Sequence, residues 1–128
     1  MKAAILAAAL SLGAGAALAN DPVTGTWRTQ PDDGAWAEVQ IAPCGAALCG
    51  TIRKTHNAQG EYASPNLGRQ LVRSMVPKGG GRYEGEVWRP SNNKIYFGKI
   101  QLNGNELTLS GCIVGGLICS SQSWTRIR

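Results

Sequence analysis

Apolar side chains in this chain recur at every second position over short runs, and glycine, proline, asparagine and aspartate separate the runs. That period belongs to β-strands half-buried against a core. Over 36–43, Val39 and Ile41 fall on one face, with Glu38 and Gln40 on the other. Over 48–54, Leu48, Gly50 and Ile52 oppose Thr51 and Arg53, completing a hairpin. A strand is predicted over 25–29 around Trp27. Another spans 83–89, with Tyr83, Gly85 and Val87 facing one way and Glu84, Glu86 and Trp88 the other. Strands over 95–102, 106–114 and 120–128 follow. The last sets Gln122, Trp124 and Arg126 on one face and Ser123, Thr125 and Ile127 on the other.

Turn chemistry agrees with these boundaries. Pro31-Asp32-Asp33-Gly34, Lys78-Gly79-Gly80-Gly81 and Pro90 to Lys94 are turn segments. Asn103-Gly104 is a strong hairpin signal, because both residues tolerate positive φ. A two-residue turn there would pair Leu102 with Asn105, Ile100 with Leu107 and Gly98 with Leu109, apolar side chains together. The stretch from Thr55 to Pro77 is harder to read. Asn57 to Gly60 and Ser64-Pro65-Asn66 are loop signals, and Leu67, Leu71, Val72 and Met75 fit a helix or a short strand at about 70–76. A long connection followed by a short element is expected.

These elements make about eight strands in sequence order, with no helical crossover to join parallel strands. The expected fold class is all-β, a small antiparallel meander β-barrel. In a closed barrel the first and last strands are neighbours. Gly25-Thr26-Trp27 opens the first strand and Trp124-Thr125-Arg126 sits on the last, so the Arg126 guanidinium is expected to lie across the Trp27 indole. Trp27, Val39, Ile41, Ile52, Val87, Ile100, Leu107 and Leu109 are the expected core.

The first 19 residues stand apart. Lys2 precedes an alanine-rich apolar run from Ile5 to Leu18, and Ala17-Leu18-Ala19 fits a small-x-small cleavage site. A cleavable signal peptide over 1–19 is expected, then a single domain over 20–128. Export makes disulfides the natural reading of Cys44, Cys49, Cys112 and Cys119. Their spacings do not suit a zinc site, so no metal is expected. Local pairs Cys44–Cys49 and Cys112–Cys119 are favoured, with a crossed pairing left open. Without Lys2 the chain carries 12 basic and 8 acidic side chains, a net charge of +4 scattered along the sequence. Such a pattern gives no reason to expect nucleic acid, and no second apolar run supports stable membrane insertion. A monomer is expected.

Candidate chemistry is sparse. Asp32-Asp33 sit between Pro31 and Gly34 and read as turn residues. Glu84 and Glu86 read as solvent-facing strand residues. Gly79-Gly80-Gly81 lacks the lysine and helix of a phosphate cradle. His56, the only histidine, reads as an exposed loop residue with no carboxylate placed to orient it. No catalytic residue, no cofactor and no enzymatic activity are expected.

Gly25-Thr26-Trp27-Arg28, Cys44-Gly45 with Leu48-Cys49-Gly50-Thr51-Ile52, Gly85-Glu86-Val87-Trp88-Arg89-Pro90, Lys94-Ile95-Tyr96, Leu107 to Cys112 and Ser121 to Arg126 together resemble DUF2147, an exported bacterial domain. The likeness covers nearly all of the chain beyond residue 19 and departs over Thr55–Met75. It implies a calycin-like barrel of the lipocalin or fatty-acid-binding-protein kind and carries no established activity. Small barrels of this size hold one small ligand or are filled by side chains. The leading expectation is therefore a periplasmic or secreted binding module for a small, apolar ligand, with Trp27, Gln122, Trp124 and Arg126 as ligand-binding residues. The alternative is an inhibitor-like barrel acting on an envelope protein through its loops. An enclosed pocket with polar groups inside would favour the first, a filled interior with an apolar loop patch the second.

Overall fold

The computed structural model describes residues 18–128, so all but Leu18 and Ala19 of the expected signal peptide lie outside the described residues. The alternating runs do form strands: β1 (Gly25–Arg28), β2 (Trp36–Cys44), β3 (Ala47–Asn57), β4 (Gly60–Tyr62), β5 (Gln70–Gly79), β6 (Arg82–Arg89), β7 (Lys94–Asn103), β8 (Glu106–Ile113) and β9 (Ile118–Arg126). Eight of them pair antiparallel in meander order, and β1 closes the ring against β9 through Trp27↔Arg126 and Arg28↔Thr125. Closure spans two residue pairs only, so it removes part of the free sheet edge. The turns after β2, β5 and β7 share one end of the barrel with the segment that leads into β1 and with the C-terminal residues after β9. The other end carries the β1–β2, β3–β4, β6–β7 and β8–β9 connections.

Three features depart from the expectation. The segment after residue 54 is ordered: β3 runs to Asn57 and turns into β4, a ninth strand lying outside the ring. The chain then returns through a turn at Ser64–Gly68 into a ten-residue β5. The β7–β8 hairpin turns at Gly104-Asn105, pairing Asn103 with Glu106, Ile100 with Leu109 and Gly98 with Gly111. Gly104 has φ 64° at the first central position, as a type II′ turn requires, and Arg126 anchors Asn105 through its main chain at 2.8 Å and its side chain at 3.1 Å. The register differs from the expected one by two residues, so every side chain keeps its face. Finally, the β2–β3 ladder shifts at Glu38/Val39, which places His56 opposite Trp36.

All eight expected core residues are buried, joined by Val23, Leu48, Val72, Met75, Tyr83, Trp88 and Trp124. Trp27, Val39, Leu48 and Trp124 are 0 % exposed. Inward glycines do not leave room for a guest, because their neighbours occupy it. A Cβ on Gly50 would lie 2.9 Å from Val39 Cγ1 and 3.0 Å from Val72 Cβ. One on Gly85 would lie 2.5 Å from the Ser74 carbonyl oxygen, where a β5 irregularity holds Ser74 at φ 51°. The segment Asp21–Thr24 before β1 plugs the end of the barrel at which it lies. Val23 is buried, Trp27 Nε1 donates to its carbonyl at 2.9 Å, and the Tyr83 hydroxyl donates to Asp21. Burial, together with that carboxylate, pushes the Tyr83 phenol well above its ordinary pKa.

Candidate functional site

The four residues expected to bind a ligand come together at the β1–β9 closure, but they do not line a cavity. Trp27 and Trp124 are fully buried and present no surface to a guest. The Arg126 guanidinium covers the Trp27 ring at 4.4 Å and donates to the Thr24 carbonyl at 2.8 Å, to the Pro22 carbonyl and to Asn105. Gln122 is exposed, and its side-chain oxygen accepts from Trp124 Nε1. Trp27 and Arg126 spend their hydrogen bonds on the segment before β1 and on the β7–β8 turn, whereas the Gln122 side chain bonds Trp124 on its own strand.

His56 is a strand residue on the outer face, and a carboxylate does orient it. Its ring stacks on Trp36 with centroids 3.9 Å apart, Arg28 lies over the other side of Trp36 at 4.1 Å, and Glu38 Oε2 is 3.1 Å from His56 Nε2. Arg128 approaches Glu38 at 3.6 Å, and the carboxylate side chain is only 12 % exposed. Glu38 is therefore a buried partner rather than a solvent-facing one. A regular β2–β3 ladder would set Trp36 opposite Thr55, so only the bulge brings these rings together. No hydrogen bond joins His56 to a hydroxyl or thiol among the described residues. The group braces β2 against β3 through the Trp36 stack and the Glu38 contact.

Both expected disulfides are present, Cys44–Cys49 and Cys112–Cys119. The second closes the loop Ile113 to Ile118, where the molecule exposes its most apolar surface. Ile113, Val114, Leu117 and Ile118 are 51–83 % exposed, and Ile95 and Phe97 on β7 are exposed beside them. The loop is folded back and held: Gly116 is buried and its carbonyl accepts from Lys99 Nζ at 3.0 Å. Val114 has φ 54°, a strained conformation for a β-branched residue. No charged side chain occurs between Glu106 and Arg126, so the β8–β9 hairpin is uncharged from Leu107 to Thr125 in an otherwise basic chain. The sequence showed this aliphatic run as a disulfide loop; its exposure depends on how it folds over β7.

Two open grooves lie on the outside of the barrel. One, of about 530 Å³, runs over Gly85, Glu86, Tyr96 and Phe97. The other, of about 290 Å³, lies at the β1–β9 seam between Arg28–Pro31 and Ser123 with Thr125. Beside the first, Asn92 donates to the Tyr96 hydroxyl at 2.7 Å and, with Arg89 and Lys94 near, draws that phenol below its ordinary pKa.

In three dimensions the barrel is similar to the protein HP1028 from the human pathogen Helicobacter pylori, described as belonging to the lipocalin family. The TM-score is 0.67 with 15 % identity, over 83 % of each chain. At that identity the likeness speaks for the fold alone. No curated protein matches in sequence. A family model described as an uncharacterized protein conserved in bacteria matches residues 25–126, from the first residue of β1 to the last of β9. The chain belongs to that family, DUF2147.

Proposed function

We propose that this protein is a non-catalytic binding module that acts outside the cytoplasm and engages a protein partner through the β8–β9 loop. The observation that carries this reading is the contrast between the two places a ligand could bind. The barrel interior is filled by Trp27, Trp124, Leu48 and their neighbours, whereas Ile113, Val114, Leu117 and Ile118 stand exposed on a disulfide-braced support. Fully burying one such side chain contributes roughly 1.5–3 kcal/mol, so covering this group would supply several kcal/mol of association energy. A rigid loop also loses little entropy on docking. The small-ligand reading draws on the likeness to lipocalins, but two of its four residues, Trp27 and Trp124, are fully buried in the packed interior.

A photo-crosslinking residue at Leu117, introduced in the native host, tests this reading against the same residue at Lys78, at the opposite end. The expected result is a discrete protein adduct from position 117 that is absent from position 78. A small molecule in stoichiometric amount with the protein in native mass spectrometry, with no adduct at 117, would restore the small-ligand reading.

A further inference from the structure

The barrel closes over only part of its length. β9 pairs with β8 from Ile118 to Thr125 without a break, yet it pairs with β1 only at Thr125 and Arg126. Among the described residues, no strand lies on the other side of Ile118–Trp124. The direction of the backbone groups there follows from their neighbours. Ser123 N donates to Gln30 Oε1 at 2.9 Å and Ile127 N to the Thr26 carbonyl at 2.8 Å, both toward β1. Arg126 N points the other way, to Asn105. Alternation along an antiparallel strand then turns the N–H and C=O of Cys119 and Ser121 outward from the sheet. Every residue from Leu117 to Ser123 is exposed.

Open edges are ordinarily guarded by lysine, proline or bulges. This one has none: the run Leu117–Ser123 is uncharged and lacks proline, its ladder to β8 is regular, and Gln30 caps only Ser123. One end of the edge adjoins exposed Leu117 and Ile118, and the other opens into the 290 Å³ groove beside Gln30 and Pro31. We propose that the β9 edge at Cys119–Gln122 takes up an uncharged, extended segment of a partner polypeptide as an added strand, one aliphatic side chain of which packs on Leu117 and Ile118. This inference rests on the partner reading above and names its mode. The backbone decides against a lipid occupant, since peptide groups at this edge would find no partner in hydrocarbon. Strand addition satisfies them and covers the aliphatic loop in the same step. A charged side chain in the added strand would be desolvated with no counter-charge on the hairpin.

The test uses the oxidised protein and a phage-displayed library of random linear peptides, the tightest of which is then synthesised. Selected peptides should carry uncharged, β-branched cores. Their binding should slow amide exchange at Cys119 and Ser121 while barely changing Ser120 and Gln122, which already face β8. Ser121→Pro removes an outward N–H without touching the β8 ladder, and should weaken the peptide about tenfold or more. Ser121→Ala, which loses only the hydroxyl contact to Ser110 at 2.7 Å, should bind normally. Leu117→Gln should also weaken binding. Loss with Leu117→Gln alone, with exchange at Cys119 and Ser121 unchanged, overturns strand addition but leaves the apolar loop as a binding surface. Indifference to both Leu117→Gln and Ser121→Pro overturns both readings. If no peptide is selected and the hairpin is instead protected by anionic vesicles or by self-association in sedimentation, the proposed occupant is wrong.

Discussion

Arg126 is the direct cross-strand partner of Trp27, and its guanidinium lies 4.4 Å from the centre of that indole. One residue thus performs three tasks at the closure. It covers the largest core side chain, it ties the Pro22–Thr24 plug down through main-chain carbonyls, and it holds the β7–β8 turn through Asn105. The closure is short in backbone terms, so these side-chain contacts carry much of it.

Trp27→Ala should destabilise the fold by about 3–5 kcal/mol, as loss of a buried aromatic does. Arg126→Ala should cost about 1–2 kcal/mol, from lost stacking and hydrogen bonds. Chemical denaturation of both single variants and the double variant should give a coupling energy of about 0.5–2 kcal/mol. Strict additivity would show that the pair does not interact.

His56→Ala should leave the fold intact but lower its stability by about 1–2 kcal/mol. The change removes the stack on Trp36 and leaves the mostly buried Glu38 with Arg128 alone. Thermal unfolding measures the loss. Because we propose a non-catalytic role, the folded variant should still complement a deletion strain, and failure to do so would reopen an enzymatic function for His56.

Gly85→Ala should destabilise by about 1–3 kcal/mol, although alanine is ordinarily better than glycine inside a strand. The new methyl would meet the carbonyl oxygens of Ser74 at 2.5 Å and Arg73 at 2.7 Å. A neutral or stabilising result in denaturant titration would mean that β5 does not press on β6 as described.

Alkaline pH should weaken the fold. Tyr83 keeps its proton in the folded state above the ordinary value of 10.0, so between that value and its raised one the unfolded chain releases a proton that the folded chain retains. Stability then falls as pH rises, by at most about 1.4 kcal/mol per pH unit. Urea titrations across pH 8 to about 11 should show this slope flattened in Tyr83→Phe.

Replacing Cys112 and Cys119 together by alanine should cost about 2–3 kcal/mol, the expected contribution of a short disulfide loop. It should also speed amide exchange from Ile113 to Ile118. Peptide mapping of the unreduced protein should find only the pairs Cys44–Cys49 and Cys112–Cys119. A peptide joining the two loops would contradict this connectivity.

Much of this architecture is written in local pattern. Period-two alternation pointed to most of the strands and, where one face was clearly apolar, to the inward face, because a side chain's face depends only on its own strand. Cysteine spacing pointed to both disulfides, and the glycine-tryptophan start with the arginine near the end pointed to closure. What the pattern left open are relations between strands. The bulge at Glu38/Val39 moves one ladder by a single residue, and that step alone turns His56 from an apparently unsupported histidine into the partner of Trp36 and Glu38. The two-residue offset of the β7–β8 hairpin puts Asn105 in the turn, where Arg126 at the end of β9 holds its main chain and side chain, a tertiary contact outside the hairpin itself. Whether the barrel is hollow was equally beyond the sequence, since it depends on how neighbouring side chains and the β5 backbone crowd onto Gly50 and Gly85. The open edge of β9 exists because β1 ends at Arg28 while β9 begins at Ile118, and only the register of closure aligns one strand's end with the other's unpaired middle.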